Sequence, residues 1–172
     1  MINVRTATML AHYKQWVDQR LFESLASLPP DEVGKERQTL CKSIVGTLNH
    51  IYVVDCIWQA HLEHREHGYK TRLEVPYPEL DDLRAAQLAI DEWFMSWSAR
   101  QTDESLNEPI EFTFVSGDRS VMTAGAMLMH VVNHASYHRG CVIQMYFEIP
   151  AKPPVTDIPV FLRDAFPAYT TG

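Results

Sequence analysis

The sequence predicts an all-α protein, a four-helix bundle with a short hairpin-like segment before its last helix. Three observations carry this expectation. Four long stretches of the 172-residue chain repeat apolar residues at steps of three and four, the period that places them on one face of a helix. Helices of that kind in one domain of this size must bury their stripes against one another. The connection after the second stretch is also long enough to run the length of such a bundle.

The first helix covers about residues 4–27. Leu10, Tyr13, Val17, Leu21, Leu25 and Leu28 form its stripe, and Pro29-Pro30 stops it. The second runs from about Thr39 to His64 on Ile44, Leu48, Ile51, Val54, Trp58 and Leu62. Thr39 or Ser43 would cap its start, and Gly68 lies where such a helix would end. Residues 68–80, GYKTRLEVPYPEL, contain two prolines and read as an irregular connection. At up to ~3.3 Å per residue it can span the ~30 Å length of a bundle. It therefore permits the second and third helices to be parallel, which a short loop would forbid.

The third helix spans about 80–101, with Leu83, Ala86, Ile90, Phe94 and Trp97 inward. Ile110, Phe112 and Phe114 then alternate with polar residues, and Gly117-Asp118 would turn the chain, which predicts a hairpin. The fourth helix covers about 121–147, capped by Ser120 or Thr123. The tail AKPPVTDIP is extended by its prolines, and VFLRDAF supplies a last turn or two of helix. There is no internal repeat. The whole chain, 1–172, reads as one domain.

Composition narrows the function. Hydrophobic residues make up 46% and charged residues 22%, as in soluble globular proteins. Net charge is −7, with no Lys/Arg cluster longer than a pair, so the basic footprint of a nucleic-acid binder is missing. No apolar run approaches the roughly 20 residues that cross a bilayer. MINVRTATMLAHYKQW lacks the pattern of a signal peptide, so a cytoplasmic protein is expected. Cys41, Cys56 and Cys141 are odd in number and far apart, which suggests buried thiols and no disulfide framework. Trp16, Trp58, Trp93 and Trp97 with Tyr52 would line a pocket or a dimer seam, or simply pack in the core.

The chemistry-bearing stretch is HVVNHASYHRG, His130 to Gly140, with three histidines each four residues from the next. Residues four apart on a helix sit one turn apart on nearly the same face. Two imidazoles so placed can converge on one metal at roughly 2.0–2.1 Å per bond, as in the HExxH motif. His130 and His138 would lie about 12 Å apart along the axis and about 80° apart around it. They cannot both hold the ion that His134 holds. The pair is either His130/His134 or His134/His138, and a further ligand must come from elsewhere. The second helix offers His50, in the middle of TLNHIYVVD, where a polar ring among apolar neighbours needs a partner. His61, His64 and His67 sit in the charged run HLEHREH and read as the solvated end of that helix; His12 lies near the start of the first. The alternative is that each mid-helix histidine is a hydrogen-bonded core residue.

These residues resemble the DinB/YfiT-like family of metal-binding four-helix bundles. The similarity rests on His50 in LNHIYVVD and on His130-Val-Val-Asn133-His134-Ala-Ser-Tyr-His138-Arg139-Gly140. It extends to the four helices, the long connection and the hairpin. The resemblance implies up-down-down-up topology and a three-histidine metal site of His50, His134 and His138, with His130 not a ligand. It implies a homodimer, and for some relatives thiol S-transfer with low-molecular-weight thiols, for others hydrolysis. Cys141 departs from the glutamine that often follows His-Arg-Gly.

Three neutral imidazoles would leave a divalent first-row ion, zinc or nickel being expected, with open coordination positions. Such an ion lowers the pKa of bound water toward ~7 or binds a thiolate. The leading expectation is therefore a metal-dependent thiol S-transferase or hydrolase acting on a small molecule, with no nucleic-acid or membrane partner. The competing readings are a non-catalytic metal-binding or stress-response helical dimer, and a plain dimerisation module with core histidines. No general base is assigned: Asp55 lies about 140° around the helix from His50, and Glu63 is not tied to it by spacing. Asn133 and Arg139 would hold neighbouring helices or touch substrate.

Overall fold

The computed structural model describes residues 2–169, a mostly helical chain with one small two-stranded sheet. Four long helices carry it: α1 (Val4–Leu25), α3 (Ile44–Leu62), α4 (Leu80–Ala99) and α6 (Ala124–Tyr146), the numbering counting the short helix α2 (Pro30–Gly34) and the single turn α5 (Asp103–Leu106) between them. Strands β1 (Pro109–Thr113) and β2 (Arg119–Thr123) precede α6, and helix α7 (Ile158–Asp164) with a 3₁₀ turn at Pro167–Tyr169 follows it. No helix among the described residues is long and apolar enough to cross a membrane.

Side-chain oxygens start three of the long helices. Asn3 accepts from the Thr6 amide, Ser43 from Gly46 and Thr123 from Ala126, each satisfying an amide that has no partner inside the helix. Helix α3 starts later than its apolar period suggests, because Ser43 rather than Thr39 is the cap. It also ends before Gly68. His64 takes a left-handed conformation (φ 54°), and the Arg65 amide closes back on the Ala60 carbonyl at 2.9 Å, a helix stop more often made by glycine or asparagine. Helix α6 starts at Ala124, not near 121, because residues 121–123 pair with β1 in the register Glu111↔Val121, Ile110↔Met122 and Pro109↔Thr123. Gly117 (φ 95°) makes the hairpin turn. The one-turn helices were not visible in the apolar period. They rest on a proline in the first turn of α2 and a Thr102–Ser105 capping box in α5.

Helix α1 packs on α4 and α6, and α3 packs on the same two helices. The core falls into two clusters. One holds Val17, Trp58, Phe94, Trp97, Leu128, Val131 and Phe161; the other holds Leu21, Phe22, Ile44, Leu83, Val142 and Tyr146. The tryptophans are thus mostly core: Trp58 and Trp97 are buried, while Trp16 and Trp93 pack half-buried against the same cluster. Two polar layers interrupt the apolar interior. One is the ion cluster of Lys14, Asp18, Asp55, Gln87 and Asp91, and the other is the histidine cluster between α3 and α6.

Candidate metal centre

Helix α3 carries His50 and helix α6 carries His134 and His138. The four-residue step on α6 stacks the latter two one turn apart, ring centroids 4.4 Å apart. Across the helix interface, His50 Nε2 lies 3.1 Å from His138 Nε2 and 3.2 Å from His134 Nε2. One ligand atom from each of the three lies within 4.8 Å of the others. His50 and His138 are buried and His134 is half-buried.

Protonation decides what this arrangement can hold. His50 Nδ1 lies 2.7 Å from the Arg72 backbone carbonyl. A carbonyl only accepts, so Nδ1 carries the proton and Nε2 presents a lone pair. That lone pair faces two more imidazole nitrogens. Burial pushes the His134 pKa down to about 3, helped by His138, His50, His130 and Arg72. Burial likewise lowers His138 to about 4, with His50 and Arg72 adding to the effect, and His50 falls for the same main reason. All three are therefore neutral near pH 7, the form that ligates metals.

The single His50 Nε2 lone pair can accept a hydrogen bond from only one of the two rings that approach it. A shared cation would instead engage all three nitrogens. Tetrahedral ligands at roughly 2.0–2.1 Å from an ion sit about 3.3 Å apart, close to the 3.1 and 3.2 Å observed. His134 Nδ1 is buried without a hydrogen-bond partner, whereas the Arg72 carbonyl already orients His50 as second partners of ligating histidines do. The residues present fit a divalent ion.

The structure also sorts the other sequence candidates. His130 is not in the converged group; its ring lies 4.8 Å from Trp58 and 5.7 Å from His134. His61 is half-buried against Trp58, Phe112 and His67 rather than solvated, and of the three histidines in that run His64 alone is exposed, beside the exposed Glu63, Arg65 and Glu66. His12 packs on Phe166. Asp55 turns away from His50 into the Lys14 cluster, and Glu63 pairs with Arg65 on the surface. Arg139 is buried and gives hydrogen bonds of 3.0 Å to the Tyr13 hydroxyl and the Ser136 hydroxyl, so it ties α6 to α1. Asn133 is exposed, and Cys41, Cys56 and Cys141 are half-buried free thiols. Arg72 had no sequence signal, because its contact is made by a backbone carbonyl that any residue would offer.

The model of the DinB family matches residues 1–170. The chain belongs to the DinB family. Protein DinB of Bacillus subtilis (strain 168) is 27% identical over 161 residues, which cover 91% of this chain and 93% of that protein. A crystal structure of a DinB-like protein from Bacillus cereus ATCC 10987 superposes with a TM-score of 0.60 at 16% identity, covering 83% of this chain and 90% of the other. The likeness to that structure is one of fold.

Proposed function

We propose that this DinB-family chain binds one divalent first-row ion, zinc or nickel, through His50, His134 and His138, and that it acts as a metal-dependent thiol S-transferase or hydrolase on a small molecule. The observation that carries the reading is the convergence of three neutral Nε2 atoms at 3.1 and 3.2 Å. An ion held by three imidazoles alone would keep its positive charge and supply Lewis acidity toward a water or a thiol. The chain's own contribution is positional. The Arg72 carbonyl fixes the His50 tautomer, burial keeps His134 and His138 unprotonated, and Arg139 holds the α6 face against α1.

In this reading the chain is one domain, and its four long helices run up-down-down-up. Cross-helix pairs support that topology. His50 meets His138 while Trp58 meets His130, so α3 and α6 run antiparallel. Tyr13 meets Arg139 while Ser24 meets Tyr146, so α1 and α6 run parallel. The proposed setting is the cytoplasm, as a homodimer. An uncharged outer stripe on α6, with Met129 and Tyr137 exposed and Phe147 exposed just past its end in a chain of net charge −7, is the face on which two copies would repel least.

The enzymatic reading is tested by assaying thiol transfer to an electrophile and ester hydrolysis with metal-loaded, metal-stripped and His134→Ala protein. Turnover that needs both the ion and His134 supports it. Loaded protein with no turnover in either assay would favour the non-catalytic metal-binding alternative.

A further inference from the structure

Arg72 lies in the connection between α3 and α4, and its carbonyl accepts the His50 Nδ1 bond at 2.7 Å. That bond anchors residue 72 beside the histidine cluster. The residue is exposed, and among the described residues its guanidinium has no ion-pair, hydrogen-bond or ring partner.

This placement is electrostatically odd for a cation site. A fixed positive charge beside a divalent ion opposes loading unless an anion sits between them. The chain carries 22 acidic residues, yet among the described residues none pairs with Arg72. A planar guanidinium with free N–H groups matches the two oxygens of a carboxylate or phosphate, which it holds through parallel charge-assisted hydrogen bonds.

We propose that Arg72 is the anion-recognising residue of this site, its guanidinium holding the oxyanion of a small carboxylate or phosphate ligand whose other end lies against the histidine cluster. The inference rests on the metal-site reading for its location, but its test does not require the metal. Substituting the Arg72 side chain keeps the backbone carbonyl, so the His50 contact survives. Lys70, exposed two residues earlier, serves as a control for diffuse charge.

The experiment is titration calorimetry with benzoate, phenyl phosphate and neutral benzamide. Wild type, Arg72→Gln and Lys70→Gln are each examined metal-loaded and metal-stripped. Wild type should bind at least one anion more tightly than benzamide. Arg72→Gln should weaken that anion by about tenfold, the loss expected for a charged hydrogen-bonding pair, and leave benzamide unchanged. The anion with the larger Arg72 dependence distinguishes carboxylate from phosphate recognition. Equal anion binding by wild type and Arg72→Gln would overturn the proposal. So would an equal loss in Lys70→Gln, or no binding of either anion. Anion binding that depends on Arg72 in a chain that takes up no metal would sink the metal reading and leave this one standing.

Discussion

Replacing Lys14 by methionine isolates the ion cluster at the centre of the helices. Lys14 Nζ lies 2.9 Å from Asp18 Oδ2, 2.7 Å from Asp55 Oδ2 and 2.5 Å from Asp91 Oδ1. The Lys14 side chain is 1% exposed and those of Asp55 and Asp91 are 0% exposed. Gln87 donates to Asp55 and Asp91 at 2.9 and 3.1 Å, but Asp55 Oδ1 and Asp91 Oδ2 have no hydrogen-bond partner. One ammonium thus faces three carboxylates. Burial pushes Asp55 up to about 6, against the downward pull of Lys14; the same balance lifts Asp91 well above the ordinary carboxylate range. Methionine keeps most of the lysine stem's volume, so the main effect is the lost charge. Breaking a buried pair by removing one partner costs about 3–5 kcal/mol. Urea unfolding at pH 7 should show a loss of that size.

The sign of its pH dependence follows from the raised carboxylate values. A carboxyl whose folded pKa is raised stabilises the fold below its unfolded value, near 3.8, and loses that contribution as pH rises through about 6 for Asp55 and higher for Asp91. Without Lys14 both carboxylates are harder still to ionise. The penalty of Lys14→Met should therefore shrink at pH 5 and grow toward pH 8. A loss under about 1 kcal/mol at pH 7, or an equal loss at pH 5 and pH 7, would refute the reasoning.

Three further predictions follow from the same structure. His134 and His138 have folded pKa values near 3 and 4 against an ordinary 6.5, so at these two positions only the unfolded chain takes up protons as pH falls from 6.5 toward 4. Metal-free protein should lose stability through that window, and the loss relative to pH 7 should be smaller in His134→Gln by urea titration. Ser43→Ala removes the oxygen that caps α3 at Gly46 and should cost about 1 kcal/mol in the same measurement. Phe161 is 1% exposed and packs on Tyr13, Trp16 and Phe166. Phe161→Ala should cost about 3–5 kcal/mol, and faster amide exchange in α7 would show the tail loosening first.

The long helices and the hairpin were legible in the sequence because periods of 3.6 and 2 are set by which side chains must be buried. Their ends were less so. The starts of α3 and α6 depend on which of two candidate hydroxyls closes on an amide, and α3 stops at His64 in a conformation that its residue type does not announce. The histidine spacing on α6 narrowed the ligand pair to two choices, the family resemblance implied His134 and His138, and the three-dimensional approach of His50 to those two leaves His130 outside the group. The Lys14 cluster was not visible at all. Its members lie on three helices, up to 77 positions apart, and in sequence each looks like an ordinary charge on an amphipathic helix. Arg72 was hidden for a different reason, since its contact with His50 is made by the backbone.

The central claim is that three particular nitrogens form one metal site. Cobalt(II) titration followed by visible absorbance tests it most directly, because the spectrum reports ligand number and type at the bound ion. Wild type and His130→Ala should each take up about one equivalent with the same spectrum, and His50→Ala, His134→Ala and His138→Ala should each lose or change it. Loss of the spectrum in His130→Ala with retention in His138→Ala, or no uptake by wild type, would contradict the account.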